Sequence, residues 1–328
     1  MGGPDVAREA RDTYLDLAGD GRVDEAVDLC LELIDSGLAP ERIALQLLGP
    51  AQREVGRRWS LGTWTVAQEH AASAVTDAAL AALSAAVPAG TMGEPLVVVA
   101  CPRTEWHGLA ARMVTQILRW RGVAADFVGT LASDAALDEL LGHRRPRALA
   151  LSCTMTSALP DVARAVVVAG RHGTAVVGGG HGFGLHGRYA PSVGVTEWVA
   201  GAPELTRRLA RWDRTGWPPW AHPVPEPIDY RRLARRRREL VDAVTTRLVD
   251  DGLGADDVEL VQDAAEQVVA VALAAARTSH GTILGEGVSE LSAALARRPG
   301  PVSAVGARLP SVVHEVLDRP SSGCPDPD

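Results

Sequence analysis

Three short segments carry the residue types with which this chain could hold a ligand. Glu105-x-His107, Ser152-x-Thr154 and the triplet Gly178-Gly179-Gly180 each accompany a run of small aliphatic residues. The imidazole of His107 is a common metal ligand, and a carboxylate two residues away can fix its tautomer. Hydroxyl groups offer hydrogen bonds to a polar group, and glycines let a bulky group lie against bare backbone. These residue types suit a metal-containing organic ligand.

The aliphatic runs predict where these segments lie. Bare aliphatic runs are typical of buried parallel strands, and we predict them at Leu96–Ala100, Ala125–Val128, Ala148–Ser152, Thr174–Gly178 and, as a short strand, near Trp198. Amphipathic segments between and after them predict helices at Leu109–Arg121, Asp134–Leu141, Leu159–His172 and Pro203–Trp212. Repeated strand-then-helix units imply a parallel, doubly wound sheet, in which ligands bind beyond the carboxyl ends of the strands.

Each segment taken singly has a plainer interpretation. A histidine after a strand is often a capping or packing residue, and a glycine triplet after a strand can form a phosphate loop. The chain has neither a GxGxxG motif nor the lysine of a P-loop at this place. The joint spacing of the three segments is therefore the stronger signal.

This joint spacing resembles the signature of cobalamin-binding domains. The resemblance implies that His107 displaces the dimethylbenzimidazole base and coordinates cobalt as the lower axial ligand, with Glu105 beside it. It also implies that the Ser–Thr segment and the glycines line a cavity for the nucleotide tail. We assign to the same site the two neighbours Trp106 and His181. Two departures from the family pattern are Ala110, where the family has glycine, and Thr154, where it has leucine.

The first part of the chain predicts a four-helix bundle. Its apolar-periodic segments are Val6–Ala18, Arg22–Ile34, Pro40–Trp59 and Val66–Val87, and the glycines between them, Gly21, Gly37 and Gly62, are typical helix stops. Trp59 is followed after nine residues by Glu69-His70. This pattern is similar to that of cobalamin-dependent photoreceptors of the CarH type, and the alternative is a core tryptophan with a solvent-facing Glu-His pair.

The photoreceptor resemblance implies a role for the bundle. In that family the bundle caps the upper face of the corrin, and the tryptophan packs over a 5′-deoxyadenosyl group. The resemblance covers residues 6 to 212 and includes no helix-turn-helix domain ahead of the bundle. Ser60 stands where light-sensing relatives that form a bis-histidine photoproduct often carry histidine.

A second helical region is predicted after residue 227, with helices at Tyr230–Val249, Ala255–Thr278, Ile283–Ala296 and Val302–Leu317. Its arginine run starts with Arg231, Arg232 and Arg235. Such a run is usually a solvated face, and the alternatives are recognition of tetrapyrrole propionates or contact with nucleic acid or an acidic partner. The arrangement is similar to that of photocobilins, which implies that these arginines and His280 hold biliverdin.

Composition limits the remaining functions. The net charge of −8 disfavours DNA as a partner, and no apolar run is long enough for a membrane span. The first residues lack a signal sequence, so we expect a cytoplasmic protein. The four cysteines have no CxxC spacing and are interpreted as buried small residues or a tail thiol.

We therefore expect a multi-domain α and α/β protein with a four-helix bundle at 1–90, a Rossmann-like cobalamin-binding domain at 91–214, and a linker with a helical domain at 215–328. The expected function is that of a light sensor for adenosylcobalamin with an added bilin, without enzymatic activity. It would act on a downstream protein partner and could form a homo-oligomer. The alternative is a corrinoid shuttle protein that carries a methyl group between methyltransferases.

Overall fold

The computed structural model describes residues 6–89, 96–218, 223–249, 253–298 and 300–317. The chain divides into two units, one of residues 1–155 and 161–223 and the other of residues 156–160 and 224–328. The first unit contains the predicted helical bundle and a Rossmann-like parallel sheet, and the second is helical. The predicted fold class is confirmed. The predicted tail thiol, Cys324, lies outside the described residues.

The N-terminal helices are α1 (Val6–Gly19), α2 (Val23–Asp35), α3 (Pro40–Ile43), α4 (Gly49–Ser60) and α5 (Val66–Ala86). The predicted stops Gly21, Gly37 and Gly62 adopt φ values of 69°, 89° and 70°, a left-handed conformation that glycine adopts without a steric penalty. Helix α5 begins with a capping box between Thr65 and Gln68. The apolar faces of these helices bury Tyr14 together with many leucines and alanines.

One helix predicted over Pro40–Trp59 is wrong in detail, because a π-helical turn at Ala44–Leu48 separates α3 from α4. The N–H of Gly49 donates to the carbonyl of Ala44, five residues back. Pro50 supplies the physical reason, since proline cannot donate a helical hydrogen bond and its ring clashes with the carbonyl four residues earlier. The wider turn places Pro50 in the first turn of a new helix, where proline is tolerated.

The α/β part has five parallel strands, in the order β2-β1-β3-β4-β5. The strands are β1 (Val97–Cys101), β2 (Ala125–Thr130), β3 (Ala148–Ser152), β4 (Ala175–Gly179) and β5 (Glu197–Val199). The helices are α6 (Gly108–Trp120), α7 (Asp134–Arg144), α8 (Leu159–Arg171) and α9 (Ala202–Thr215). Because all strands are parallel, the loops that follow them meet at one edge of the sheet.

The bundle packs directly on this α/β part. Met113 and Ile117 of α6 belong to the same buried apolar cluster as the core of the bundle. The indole N–H of Trp120 donates to the carbonyl of Val87 at 2.9 Å, and Arg121 forms an ion pair with Glu41. These contacts position the bundle relative to the helix that begins next to His107.

The second unit contains α10 (Ile228–Arg235), α11 (Arg237–Leu248), α12 (Ala255–Thr278), α13 (Thr282–Ala296) and α14 (Val302–Leu317). One helix predicted over Tyr230–Val249 is wrong, because the chain bends at Arg236, with φ of −97° and ψ of 7°. The Arg236 guanidinium pairs with Glu239 at 2.7 Å, in the first turn of α11, where an acidic residue is favoured. An uninterrupted helix would also align like charges three and four residues apart. No helix in the described ranges meets the length and apolarity of a membrane span.

Candidate cofactor site

The loop after β1 places a histidine and a glutamate in direct contact. His107 is the residue immediately before α6, and its Nδ1 lies 2.5 Å from Oε1 of Glu105. The backbone N–H of His107 donates to the same oxygen at 3.1 Å. A carboxylate on Nδ1 favours the tautomer whose lone pair is on Nε2. Within the described part of the chain no hydrogen bond occupies Nε2, which makes this nitrogen available to a metal.

The second oxygen of Glu105 is held from the neighbouring strand. Oε2 accepts the backbone N–H groups of Thr154 at 2.6 Å and Met155 at 2.7 Å, both in the loop after β3. The side chain has no solvent exposure. Burial by itself raises the pKa of the carboxyl, but the hydrogen bonds from His107 and Met155 outweigh it and leave the pKa below its ordinary value. Glu105 is therefore a buried carboxylate that fixes the imidazole to the sheet.

The imidazole of His107 remains accessible, with 58% of its side chain exposed. The hydrogen bond that His107 donates to Glu105 raises the pKa of His107, burial opposes this, and the negative charges of Glu105 and Glu69 add to the rise. Glu69 belongs to α5, so a charge on the bundle contributes to the electrostatics of the imidazole.

Large apolar side chains are exposed in the loops after the strands and at one end of the bundle. Trp106, Leu185 and Met155 follow β1, β4 and β3, and are 83%, 74% and 42% exposed. On the bundle, Trp59, Leu61 and Val66 lie at the turn between α4 and α5 and are 50%, 54% and 44% exposed. Both the sheet edge and the bundle therefore present apolar side chains that a ligand could cover.

The predicted pair Glu69-His70 lies at the start of α5. The Glu69 carboxylate accepts the hydroxyl of Ser73 at 2.9 Å, and its other oxygen lies 3.4 Å from Nε2 of His70. Glu69 is 23% exposed, whereas His70 is 74% exposed and points to solvent. Of the two residues, Glu69 is the one whose charge contributes to the pKa of His107.

The glycine triplet after β4 has a packing role of its own. A Cβ on Gly178 would lie 2.6 Å from the ring of Phe183, and one on Gly180 would lie 2.3 Å from the carbonyl oxygen of Cys153. Gly180 also has φ of 107°. Gly179 meets only ordinary contacts, and His181 is exposed. The triplet therefore lets the loops after β3 and β4 approach closely, and a role in holding a nucleotide tail stays a prediction.

The residues next to the glycines leave polar groups for a ligand. Ser152 and Thr154 are half-buried, and among the described residues neither hydroxyl takes part in a hydrogen bond. The nearby thiols of Cys101 and Cys153 are buried, and burial raises the pKa of Cys101 to about 12 and that of Cys153 well above its ordinary value. Protonated thiols are poor metal ligands, so they do not compete with His107.

Comparison with known proteins identifies the ligand class. Residues 10–84 match a family model described as a B12 binding domain, and residues 95–208 match a second model with the same description. This chain is a cobalamin-binding protein. The first range covers most of the bundle, and the second contains the parallel sheet.

CarH and a corrinoid protein are similar in sequence or in fold to parts of this chain. Over 140 residues the chain is 31% identical to CarH, a transcriptional repressor of the helix-turn-helix type from Myxococcus xanthus. The match covers 43% of this chain and 45% of CarH, so the chain spans about half of that relative. The monomethylamine corrinoid protein of Methanosarcina barkeri has the same fold, with a TM-score of 0.55 and 16% identity over 62% of this chain and 98% of that protein. A cobalamin-binding protein from Desulfitobacterium hafniense aligns with a TM-score of 0.36 and 18% identity over 64% of this chain and 98% of its own.

The site of this cobalamin-binding protein fits the group. His107 offers Nε2 to cobalt, Glu105 orients the imidazole, and exposed apolar side chains such as Trp106 can cover a corrin ring. The described residues contain no cluster of three or more His, Cys, Asp or Glu that could hold a metal, so a metal there would need ligands besides the protein. Cobalamin meets this condition, because its macrocycle supplies most of the ligands. Ala110, the departure from the family pattern, is exposed in the first turn of α6.

The predicted bilin residues lie in the second unit. Arg231, Arg232 and Arg235 of α10 are exposed, and His280, just after α12, is half-buried. Sequence reasoning missed Arg277, which is 3% exposed and donates to the carbonyl of Val224 at 2.9 Å. Burial lowers the pKa of Arg277, and the negative charge of Glu226 opposes this. The start of α10 therefore lies close to the end of α12.

Sequence reasoning also missed Met155 and Leu185. Met155 contributes a backbone donor to Glu105 and an exposed side chain, and Leu185 follows the glycine loop. Both could have been found by inspecting apolar as well as polar residues after each predicted strand.

Proposed function

We propose that this protein is a cytoplasmic light sensor that binds adenosylcobalamin and changes its conformation when light cleaves the cobalt–carbon bond. The observation that carries the proposal is the packing of the bundle on α6, the helix that begins next to His107, together with the exposure of Trp59 near the end of α4. A bundle that covers the upper face of the cofactor suits a sensor. The similarity to CarH over the same part of the chain supports this function.

In this proposal the chain's own residues hold and report the state of the cofactor, and no catalytic residue is assigned. His107 and Glu105 would hold the cofactor at the sheet edge. Trp59, which is 50% exposed, would pack against the adenosyl group. Loss of that group would free Glu69 and His70 to rearrange, and because Ser60 is not histidine, His70 would be the nearest candidate in sequence for a new contact with the cofactor.

The signal has a covalent route to the second unit. Oε2 of Glu105 holds the N–H groups of Thr154 and Met155, and the chain continues directly into residues 156–160, which belong to the second unit. Within that unit the 3-10 turn Thr156–Ala158 packs against α12. A shift of Glu105 would therefore pull on a segment that is packed with the C-terminal helices.

We further propose that the second unit binds biliverdin without a covalent bond. A dianionic tetrapyrrole needs an apolar slot with cations at one edge. The proximity of the start of α10 to the end of α12 places the basic helix near the segment that carries His280. The described part of this unit contains no cysteine for a thioether link.

The test combines absorption spectra with hydrogen exchange in the dark and in the light. Purified full-length protein is mixed with adenosylcobalamin, methylcobalamin or biliverdin, and spectra are recorded before and after illumination. The sensor is supported by preferential binding of adenosylcobalamin, a light-induced spectral change, and altered hydrogen exchange at α4 and α5. Equal binding of methylcobalamin and adenosylcobalamin, with identical exchange in dark and light, would favour the corrinoid shuttle instead.

The bilin is tested with two matched variants. Replacing Arg231, Arg232 and Arg235 by glutamine should abolish the sharpened, red-shifted band of bound biliverdin. Replacing the exposed Arg237 and Arg238 of α11 should leave the band intact. If the wild type shows no such band, or both variants lose it equally, the second unit is not a bilin domain of this design.

A further inference from the structure

The bundle contains a second cleft with its own chemistry, bounded by α1 and α4. Its volume is about 390 Å³, within the range of small-molecule sites. Six charged side chains line it: Arg11, Asp12, Arg53, Glu54, Arg57 and Arg58. Four guanidinium groups against two carboxylates give the lining a net charge of +2, whereas the whole protein carries −8.

Two of the four arginines already have partners. Glu54 accepts from Arg57 at 2.7 Å and from Arg58 at 3.0 Å. These hydrogen bonds lower the pKa of Glu54 to about 2, so the carboxylate stays ionised. The guanidinium of Arg58 also lies over the ring of Trp64, 5.1 Å from its centroid. Glu54, Arg57 and Arg58 therefore form a fixed wall of the cleft.

The other two arginines lack acceptors. Nε of Arg11 is buried and has no hydrogen-bond partner, and neither Arg11 nor Arg53 has a carboxylate within ion-pair distance among the described residues. A buried donor left unsatisfied costs about 1–3 kcal/mol, more for a charged group, and native structures rarely retain one without a role. An anion in the cleft would satisfy both guanidinium groups.

The lining also indicates what the rest of such a ligand contains. Leu15 and Pro50 provide apolar surface, and Asp12 is exposed at the rim, where its carboxylate can accept a hydroxyl group. The cleft is larger than an inorganic oxyanion needs. Pro50 follows the π-helical turn Ala44–Leu48, and such turns are frequent at functional sites.

We propose that this cleft is a binding site for a small phosphate monoester with hydroxyl groups, such as a sugar phosphate. The planar guanidinium forks of Arg11 and Arg53 would hold the phosphate oxygens, and Asp12 a hydroxyl. This inference does not depend on the light-sensing function. The cleft shares α4 with Trp59, so a bound ligand would stiffen the helix that carries the cap.

The experiment is calorimetric titration of the full chain at constant ionic strength with ribose 5-phosphate, ribose, inorganic phosphate and citrate. Saturable binding of ribose 5-phosphate, tighter than phosphate and absent for ribose, is expected. Arg11→Gln and Arg53→Gln should each weaken it about tenfold or more, the loss of a charge-assisted hydrogen bond. The matched control Arg42→Gln removes one charge from α3, outside the cleft, and should change affinity less than about twofold.

Any of three results would overturn the proposal. The first is that ribose 5-phosphate shows no saturable binding up to about 10 mM. The second is that Arg42→Gln loses as much affinity as the cleft variants, and the third is that citrate binds more tightly than the phosphate ester. Arg53 is exposed, so Arg53→Gln is expected to fold, and far-ultraviolet circular dichroism checks this. Arg53→Lys provides a second measure, because lysine keeps the charge but loses the planar fork.

Discussion

Replacing Glu105 by glutamine should separate the orientation of His107 from its presence. Oε1 of Glu105 accepts Nδ1 and the backbone N–H of His107, and Oε2 accepts the N–H groups of Thr154 and Met155. An amide keeps only one acceptor oxygen. Its NH2 group must therefore face one of these two pairs of donors.

The less costly choice turns the NH2 group toward His107. The carbonyl oxygen then keeps the bonds from Thr154 and Met155, and Nδ1 of His107 becomes an acceptor, which moves the ring proton to Nε2. One backbone donor, the N–H of His107, loses its charged acceptor. This loss corresponds to about 1.5–3 kcal/mol of stability, or a melting temperature lower by about 3–12 °C for a unit of this size. The opposite choice leaves two backbone donors unsatisfied and costs more.

The tautomer change has a separate consequence for cobalt. A proton on Nε2 must be moved before that nitrogen can coordinate, so cobalamin affinity should fall about 10–100-fold in Glu105→Gln. Visible spectra of a titration with cobalamin measure the affinity and show whether imidazole is bound. Thermal unfolding of the apo-protein measures the stability loss.

Asp161→Asn is the matched control. Asp161 is also a buried carboxylate near this loop, but it accepts the backbone N–H of Thr104 at 3.1 Å and its hydroxyl at 2.7 Å, and it does not contact His107. The control should lose stability and keep the spectrum of imidazole-bound cobalamin. If Glu105→Gln binds cobalamin as tightly as the wild type with an unchanged spectrum, or if both variants lose affinity equally, the orienting role is refuted.

Three further predictions concern the same junction. His107→Ala should lose the spectrum of imidazole-bound cobalamin and should also lower the melting temperature of the apo-protein, because the buried Glu105 loses one donor; an unchanged spectrum would exclude His107 as the ligand. Trp59→Ala should keep cobalamin bound but lose the preference for the adenosyl form. The control Trp64→Ala, in the bundle core, should mainly destabilise the bundle. Equal effects of the two changes would contradict the proposed packing of Trp59 on the adenosyl group. Because Glu105 raises the pKa of His107 and cobalt needs the unprotonated Nε2, affinity should fall about tenfold per pH unit below that pKa, and a flat profile in spectroscopic titrations would contradict proton competition.

The fold class could be predicted from the sequence because the hydrophobic patterns of helices and buried strands differ clearly here. The runs at Val97–Cys101 and Ala148–Ser152 are buried almost throughout, as their composition indicates. The two helix breaks could not be predicted from periodicity, since the pattern continues through the π turn before Pro50 and through Arg236. Both depend on local hydrogen bonding, which periodicity does not report.

The candidate site, like the fold, could be predicted from the sequence only in part. The proximity of Glu105 and His107 follows from a two-residue spacing in one loop, and the structure brings them into contact. The N–H groups of Thr154 and Met155 carry no side-chain signal, so sequence alone could not reveal them as the second half of the carboxylate's support. The position of Glu69 near His107 depends on how the bundle packs on α6, a long-range property.

Cofactor binding and backbone structure are linked through one buried carboxylate. Glu105 is fully buried and ionised, and it is compensated by donors from two different loops. A buried charge that loses one of its donors is costly, so the loops after β1 and β3 cannot move independently. A change at His107 that alters its hydrogen bond to Glu105 therefore requires an adjustment of the hydrogen bonds from Thr154 and Met155. Residues 156–160, which follow directly in the chain, belong to the other unit. In the proposed sensor, this link would convert a change of the cobalt ligand into a displacement of backbone, which a passive carrier does not need.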